Sequence, residues 1–195
     1  MKTALRMALA AWALSSWSAL AQTPAAPATR PPGLTLTTTA FEDGGIIPNK
    51  YTQSSPAGTA VSPPLAWTNT PAGTVSYVLF LFDPDAPVMK STSNILHWMA
   101  FNIPAATHSL PEGVPAGQAA LADGTTQGLN FRRNVGYMGM AAGANGPYHH
   151  YTFELVALDS KLSLPPDASR KDVEAAMDGH VLGIGILVGR FRRPQ

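Results

Sequence analysis

The 195-residue chain contains no cysteine. This absence excludes disulfide bonds, catalysis by a thiol and zinc sites built from thiolates. Three motifs of common enzyme classes are also missing: G-x-S-x-G, G-x-x-x-x-G-K-[ST] and H-E-x-x-H. Because no disulfide can stabilise the fold, the chain depends on an apolar core, and its length is sufficient for one.

Charge of either sign is sparse, since charged residues make up 13% of the chain. The 13 basic and 12 acidic residues nearly cancel, which excludes the strong positive field typical of nucleic-acid-binding proteins. The glycine-spaced segment 183–189 has neither the spacing nor the following helix of a dinucleotide-binding motif. We therefore expect no nucleic-acid partner and no cofactor.

Residues 1–21 have the pattern of a secretory signal peptide. Lys2 and Arg6 give a positive start, residues 7–17 are mostly apolar, and residues 19–21 form an A-x-A cleavage site. The apolar run is too short to span a membrane, and no later segment approaches about 20 consecutive apolar residues. We expect an exported protein, periplasmic or secreted, without a membrane span once the signal is removed.

The rest of the chain divides into a leader and one domain. Residues 22–33 are rich in proline and alanine, which predicts a disordered leader. Residues 34–195 contain short strand patterns separated by proline and glycine. The strand patterns are residues 34–39, 75–82, 95–103, 151–158 and 181–191. This spacing predicts an all-β domain of the sandwich type, with the doubly apolar run 75–82 as a central strand.

One helix is expected near the end of the domain. Ser169 and Asp172 resemble a capping box, and Val173, Ala176 and Met177 fall on one face. We expect this short helix to pack on the sandwich through that face.

The stretch LFLFDPDAPVMK, residues 79–90, ends an apolar run with two aspartates. Asp83 and Asp85 could form a catalytic pair, a metal clamp, a turn or the acidic part of a pocket. By itself, Asp-Pro-Asp most often marks the end of a strand and a turn.

Strand alternation groups the histidines. In the segment 95–103 it places Ile95, His97, Met99 and Phe101 on one face. A histidine among apolar neighbours is usually a satisfied core residue, so this pattern alone leaves core and ligand roles open.

The segment 149–158 groups a second histidine with a tyrosine. His149 and Tyr151 share one face there, whereas His150 points the other way. His149 and Tyr151 can thus serve one site, and His150 is not expected to be a ligand. The glycine-rich loop 136–147 allows two interpretations, a pocket wall or a long flexible loop.

Four motifs in order resemble one known family. They are S-P-P-L-x-W at 62–67, D-P-D-A-P at 83–87, L-H-W at 96–98 and H-x-Y at 149–151. Together they resemble the phosphatidylethanolamine-binding protein family, in its bacterial Raf-kinase-inhibitor-like branch, over residues 34–193. The resemblance implies a Greek-key β-sandwich of two sheets with one small anion pocket near the ends of its central strands.

The resemblance also implies which residues form that pocket. The implied ligand-binding residues are Asp83, His97, His149 and Tyr151, and the implied rim residues are Pro84, Asp85, Pro87, Trp98 and Pro147. It further implies a cis Ala86–Pro87 peptide. The chain departs from the family at His150, where arginine is usual, and in the loop 136–147.

The implied residues suit an anion. Imidazolium and phenol groups donate to phosphate oxygens, and each charge-assisted hydrogen bond contributes about 1.5–3 kcal/mol. We expect Asp83 to orient a histidine, His97 or His149, and to raise its pKa. The paired aspartates are then one pocket residue and one turn residue rather than an acid–base dyad.

Three functions fit this sequence. The leading expectation is a non-enzymatic exported binding protein for phosphate-type anions or phospholipid head groups. The first alternative is an inhibitor of a protease or kinase that contacts an unknown protein partner through the pocket rim. The second is a metal-dependent hydrolase in which Asp83, His97 and His149 hold the metal.

The signal-peptide pattern generates a direct test. We expect cleavage after Ala21, because residues 19–21 provide the small side chains that signal peptidases accept. N-terminal sequencing of protein recovered from the exported fraction should begin at Gln22. Exported protein that begins at Met1 would contradict this expectation.

Overall fold

The computed structural model describes residues 33–57, 59–86 and 93–195. The signal peptide, most of the leader, Pro87 and the Ala86–Pro87 peptide lie outside the described residues. No helix within the described ranges is long and apolar enough to cross a bilayer.

Strands dominate the described part of the chain. The strands are β1 Thr35–Thr37, β2 Leu65–Thr68, β3 Ser76–Asp83, β4 Ile95–Pro104, β5 Ser109–Leu110, β6 Thr126–Gln127, β7 His149–Leu158 and β8 Val181–Phe191. One helix, α1 Arg170–Met177, and a short 3-10 turn, Asn49–Tyr51, accompany them.

The strands form two antiparallel sheets. A three-stranded sheet has the order β1-β2-β5, and a five-stranded sheet has the order β6-β4-β3-β7-β8. The prediction of a two-sheet β fold with one short helix is confirmed. Strand β3 lies between β4 and β7 and is buried almost throughout, so the expected central strand is also confirmed.

Apolar side chains pack on both faces of the five-stranded sheet. Between the sheets, residues such as Trp67, Tyr77 and Phe153 form the larger core. On the outer face, α1 inserts Val173 against a second cluster that includes Phe80. This double burial explains why the β3 sequence is apolar in nearly every position.

Helix α1 begins where the sequence indicates. Ser169 caps it: its side chain accepts a hydrogen bond from the backbone N–H of Asp172, and the Asp172 carboxylate accepts one from the Ser169 backbone. Of its apolar residues, Val173 is fully buried, whereas Ala176 and Met177 pack at the edge of the outer cluster.

The expected grouping of residues along β4 is wrong. A β-bulge interrupts the β3–β4 register, because Leu81 pairs with Trp98 while Phe82 already pairs with Leu96. His97 is the extra residue of this bulge. Beyond it the alternation is reversed, so Met99 and Phe101 face the helix-side cluster while His97 faces away from it.

Gly189 on β8 pairs with Tyr151 on β7. Because it has no side chain, Ile47 and Phe41 can pack closely against it. A Cβ atom at this position would lie 2.5 Å from Ile47 Cγ1 and 2.8 Å from Phe41 Cε2. A side chain here would therefore overpack the region in which β8 meets the loop that carries these two residues.

We expect Gly189→Ala to lower the free energy of unfolding by about 1–3 kcal/mol, because the added methyl displaces buried Ile47. Urea denaturation followed by circular dichroism measures this. Gly146→Ala is the matched control, since its Cβ would approach only Gly143 O, at 3.9 Å. It should stay within about 1 kcal/mol of the parent. Equal stabilities of the two variants would contradict the packing argument.

Candidate functional site

Three neighbouring strands bring the candidate residues to one edge of the five-stranded sheet. Asp83 is the last residue of β3, His97 is the third residue of β4, and His149 and Tyr151 are the first and third residues of β7. Because β3 runs antiparallel to both neighbours, its end meets their beginnings. The antiparallel order thus assembles residues that are up to 68 positions apart in the chain.

The Asp83 carboxylate is buried and accepts hydrogen bonds from two groups. Its Oδ1 accepts from the backbone N–H of Asp85 at 2.9 Å, and its Oδ2 accepts from His149 Nδ1 at 2.8 Å. Asp83 is therefore a satisfied buried acceptor that fixes its neighbours.

The Tyr151 hydroxyl is already engaged within the protein. It accepts from the backbone N–H groups of Ala141 and Ala142, at 3.3 and 3.2 Å. Burial, and then the nearby Asp83 charge, raise the pKa of Tyr151, so the hydroxyl keeps its proton. The two N–H groups fix the position of the hydroxyl oxygen beside the glycine-rich loop.

Both histidines use Nδ1 within the protein. His97 Nδ1 lies 2.9 Å from the carbonyl oxygen of Met138, and His149 Nδ1 lies 2.8 Å from Asp83. A carbonyl and a carboxylate only accept hydrogen bonds, so each Nδ1 carries the proton. Each Nε2 is then left for a ligand.

The Tyr151 ring lies between these imidazoles. Its centroid is 5.3 Å from that of His97, in an edge-on arrangement, and 6.4 Å from that of His149, in a stacked one. The three rings thus form one side of the site, and packing restricts the rotation of each imidazole.

We expected Asp83 to raise the pKa of one histidine, His97 or His149, and the pKa of His97 is instead lowered. Burial lowers it below the ordinary value, and the repulsion of Arg132 adds to this, although the Met138 carbonyl and the Asp83 charge act the other way. Asp83 therefore does not keep His97 protonated. At neutral pH the Nε2 of His97 presents a lone pair rather than a proton.

These side chains line a cavity of about 200 Å³. The described residues around it are Gln53, Asp83, Ala86, Ile95, His97, Phe131, Arg132, Met138, Ala141, Ala142, Gly143, His149 and Tyr151. Ligand pockets for drug-sized molecules occupy about 300–1,000 Å³. A cavity of this volume suits a small ionic group.

The glycine-rich loop forms a wall of this cavity. The Met138 backbone N–H donates to the His97 carbonyl oxygen at 2.8 Å, and the Met138 carbonyl oxygen accepts from His97 Nδ1. Ala141 and Ala142 are tied to Tyr151, as described above. Of the two interpretations left open by the sequence, the structure shows the pocket wall, although these two N–H groups bind Tyr151 and not the cavity.

The predicted rim residues do not all lie at the rim. Pro84 and Asp85 form an exposed turn, and Asp85 Oδ2 accepts from His150 N at 2.6 Å and His150 Nδ1 at 2.9 Å. Trp98 is fully buried in the core, where its indole N–H donates to Gln127. Pro147 is exposed and is not among the described residues that line the cavity.

Several lining residues were not anticipated from the sequence. Gln53, Phe131 and Arg132 come from loops far from the four motifs, and Ile95 was assigned only to a strand face. The pair of arginines at 132–133, just before the glycine-rich loop, is a signal that could have indicated a cation near the pocket.

The described residues contain no cluster of three or more histidine, aspartate or glutamate side chains arranged to hold a metal ion. Asp83 Oδ2 accepts a hydrogen bond from the His149 ring, and Oδ1 accepts one from a backbone N–H. This geometry differs from a two-histidine, one-carboxylate site, in which the carboxylate faces the metal.

Comparison with known proteins agrees with the fold. A sequence model of the family described as phosphatidylethanolamine-binding protein matches residues 37–192. The chain belongs to the phosphatidylethanolamine-binding protein family. The resemblance inferred from the four motifs is thereby confirmed.

Relatives within the family cover most of the chain. A UPF0098 protein of Methanothermobacter thermautotrophicus is 44% identical over 161 residues, which is 82% of this chain and 99% of that protein. The UPF0098 protein YbhB of Escherichia coli is 35% identical over 148 residues, covering 75% of this chain and 86% of YbhB.

Two solved structures of the phosphatidylethanolamine-binding protein family are similar in fold. The homologue CT736 of Chlamydia trachomatis matches with a TM-score of 0.71 and 30% identity, over 83% of this chain and 98% of CT736. Escherichia coli YbcL, described as a new member of the mammalian family, matches with a TM-score of 0.73 and 25% identity, over 83% and 99%.

The buried environment of His97 generates a spectroscopic prediction. We expect its imidazole to titrate below about 6.5, the ordinary value for histidine, because burial disfavours the charged form. Nitrogen-15 NMR of the ring should also show the proton on Nδ1. Loss of the signal in His97→Gln assigns it. A midpoint at or above the ordinary value would contradict this account.

Proposed function

We propose that this protein is a non-enzymatic binding protein whose cavity takes a small anion of the phosphate type, alone or as the head group of a larger molecule. One observation carries the proposal: two imidazoles with Nδ1 committed to the protein line one cavity, which leaves Nε2 of each for a ligand. Membership of a family described as phosphatidylethanolamine-binding protein supports the same conclusion.

The size of the cavity limits the ligand. A volume of about 200 Å³ suits a tetrahedral oxyanion with a few further atoms. A lipid would therefore bind through its head group, with its chains outside. Phe131, half-exposed at the cavity, provides an apolar surface where such chains would emerge.

Whether the imidazole of His97 repels or binds an anion depends on its protonation. In the neutral form Nε2 accepts hydrogen bonds and repels the lone pairs of an oxyanion. In the protonated form the same atom donates a charge-assisted hydrogen bond. Because burial lowers the pKa of His97, this donor forms only below the ordinary range of histidine titration.

The proposed function also includes export of the protein from the cytoplasm. The charged start, apolar run and A-x-A site in residues 1–21 support secretion, with the periplasm of a Gram-negative cell as the expected compartment. The binding domain would then begin near residue 34 and meet ligands outside the cytoplasm.

The two alternative functions have less support. A metal-dependent hydrolase would need the Asp83 carboxylate free, whereas it bonds to His149 and to the Asp85 backbone. An inhibitor of a protease or kinase would be favoured by an apolar rim. Among the described residues lining the cavity, Phe131 is the one large apolar side chain that is half-exposed.

We expect sulfate affinity to rise about tenfold as pH falls from 8 to 5, because protonated His97 gains a charge-assisted hydrogen bond. Because the pKa of His97 is lowered, the affinity should begin to rise only below about pH 6.5 and should not change with pH above it. Sulfate is the probe since phosphate itself titrates near pH 6. Isothermal titration calorimetry measures the affinity.

Two variants test whether His97 causes the rise in affinity at low pH. His97→Gln should lose most of the rise at low pH, because glutamine gains no proton. His180→Gln is the control, since this exposed histidine pairs with Asp159 and does not line the cavity. Circular dichroism confirms folding at each pH. A flat profile in the folded wild type would overturn the role proposed for His97, and the absence of sulfate binding at both ends of the pH range would overturn the proposed function.

A further inference from the structure

We infer that Arg132 recognises the anionic group of the ligand at neutral pH, and that this group binds at the Arg132 side of the cavity rather than beside Asp83. The inference deepens the proposed function and rests on it. The ligand class it implies is a tetrahedral oxyanion, either free or carried by a phosphate or sulfate ester.

The charges around the cavity require a cation other than His97. Asp83 places a carboxylate among the lining residues, and buried His97 disfavours a proton. Among the described residues, Arg132 is the one arginine or lysine that lines the cavity. Within that same part of the chain, its guanidinium lies within salt-bridge distance of no carboxylate. Its charge is therefore available to a ligand.

The backbone of Arg132 is held by a buried amide. Its N–H donates to Asn130 Oδ1 at 3.0 Å, and Asn130 Nδ2 donates to the Gly136 carbonyl at 3.0 Å. Asn130 is only 5% exposed. The base of the arginine side chain is thereby fixed relative to the glycine-rich loop that forms the cavity wall.

The guanidinium is held by a second amide. Arg132 Nη2 donates to Gln53 Oε1 at 3.2 Å, and Gln53 Nε2 donates to the Gly139 carbonyl at 3.1 Å. Gln53 also lines the cavity. A guanidinium has five N–H donors in a planar fork, so this neutral partner leaves donors for two oxygens of an oxyanion.

Arg132 also acts on the titration of His97. Its ring contacts that of Tyr151 from β7 and shares the cavity with Asp83 from β3, His149 from β7 and Arg132 from the loop before the glycine-rich segment. Of these, the Asp83 charge raises the pKa of His97 and the Arg132 charge lowers it. Removing the arginine charge should therefore move the His97 midpoint upward, which gives a readout independent of affinity.

The test compares two adjacent arginines. Arg132→Gln should weaken sulfate binding at pH 8 about tenfold, because one charge-assisted interaction is lost. Arg133→Gln should change it less than about twofold, since Arg133 does not line the cavity. Arg132→Lys should recover part of the affinity, as it keeps the charge without the planar fork. The His97 midpoint should rise in Arg132→Gln alone.

The same calorimetry with inorganic phosphate and with glycerol phosphate at pH 8 distinguishes a free anion from an esterified one. Arg132→Gln should weaken both, because the oxyanion is common to them, and the tighter ligand identifies the source. An effect on neither ligand would overturn the inference.

Failure of the inference differs from failure of the proposed function. If the wild type binds sulfate and Arg132→Gln binds it equally well, the inference alone is overturned. A loss of affinity with an unchanged His97 midpoint assigns Arg132 a structural role and also overturns it. Wild-type protein that binds no sulfate at either pH removes the proposed function, and the inference with it.

Discussion

The buried carboxylate of Asp83 is the constraint on which the site depends. A buried carboxylate without hydrogen-bond donors would cost several kcal/mol of folding free energy. Its donors are the backbone N–H of Asp85, in the turn that follows β3, and the His149 ring at the start of β7. Satisfying one carboxylate thus fixes the turn and one imidazole at the same time.

A second protein acceptor fixes the imidazole of His97, on the other side of the Tyr151 ring. The Met138 carbonyl needs a donor, and the His97 ring supplies it because the bulge in β4 turns that ring toward the cavity. Both imidazoles line the cavity and commit the same nitrogen, Nδ1, to the protein. Their hydrogen-bonding character is set by protein acceptors and not by a ligand, so the site is organised before anything binds.

Sequence patterns predicted the long strands and the short helix, because alternation and capping are local and are repeated over several residues. They also placed His149 and Tyr151 on one face, which the structure confirms. The bulge at His97 was not predictable, since one extra residue in a strand leaves no mark in an apolar run. The rim position of Trp98 was implied by the family resemblance, whereas its side chain is fully buried in the core. Arg132 was missed because its approach to the cavity depends on loop contacts with Gln53 and Asn130.

The cavity joins two kinds of structure that differ in their tolerance of substitution. The strand ends supply Asp83 and His97, which are buried, and His149, which is partly exposed but held by Asp83. The loops supply Gln53, Phe131, Arg132 and the glycine-rich wall, which are partly exposed and lie outside the sheets. Loops accept changes at lower cost to folding than strands do. In evolution, new ligand preferences could therefore arise on this scaffold by changes in the loops, while the chemistry at the base of the cavity is inherited intact.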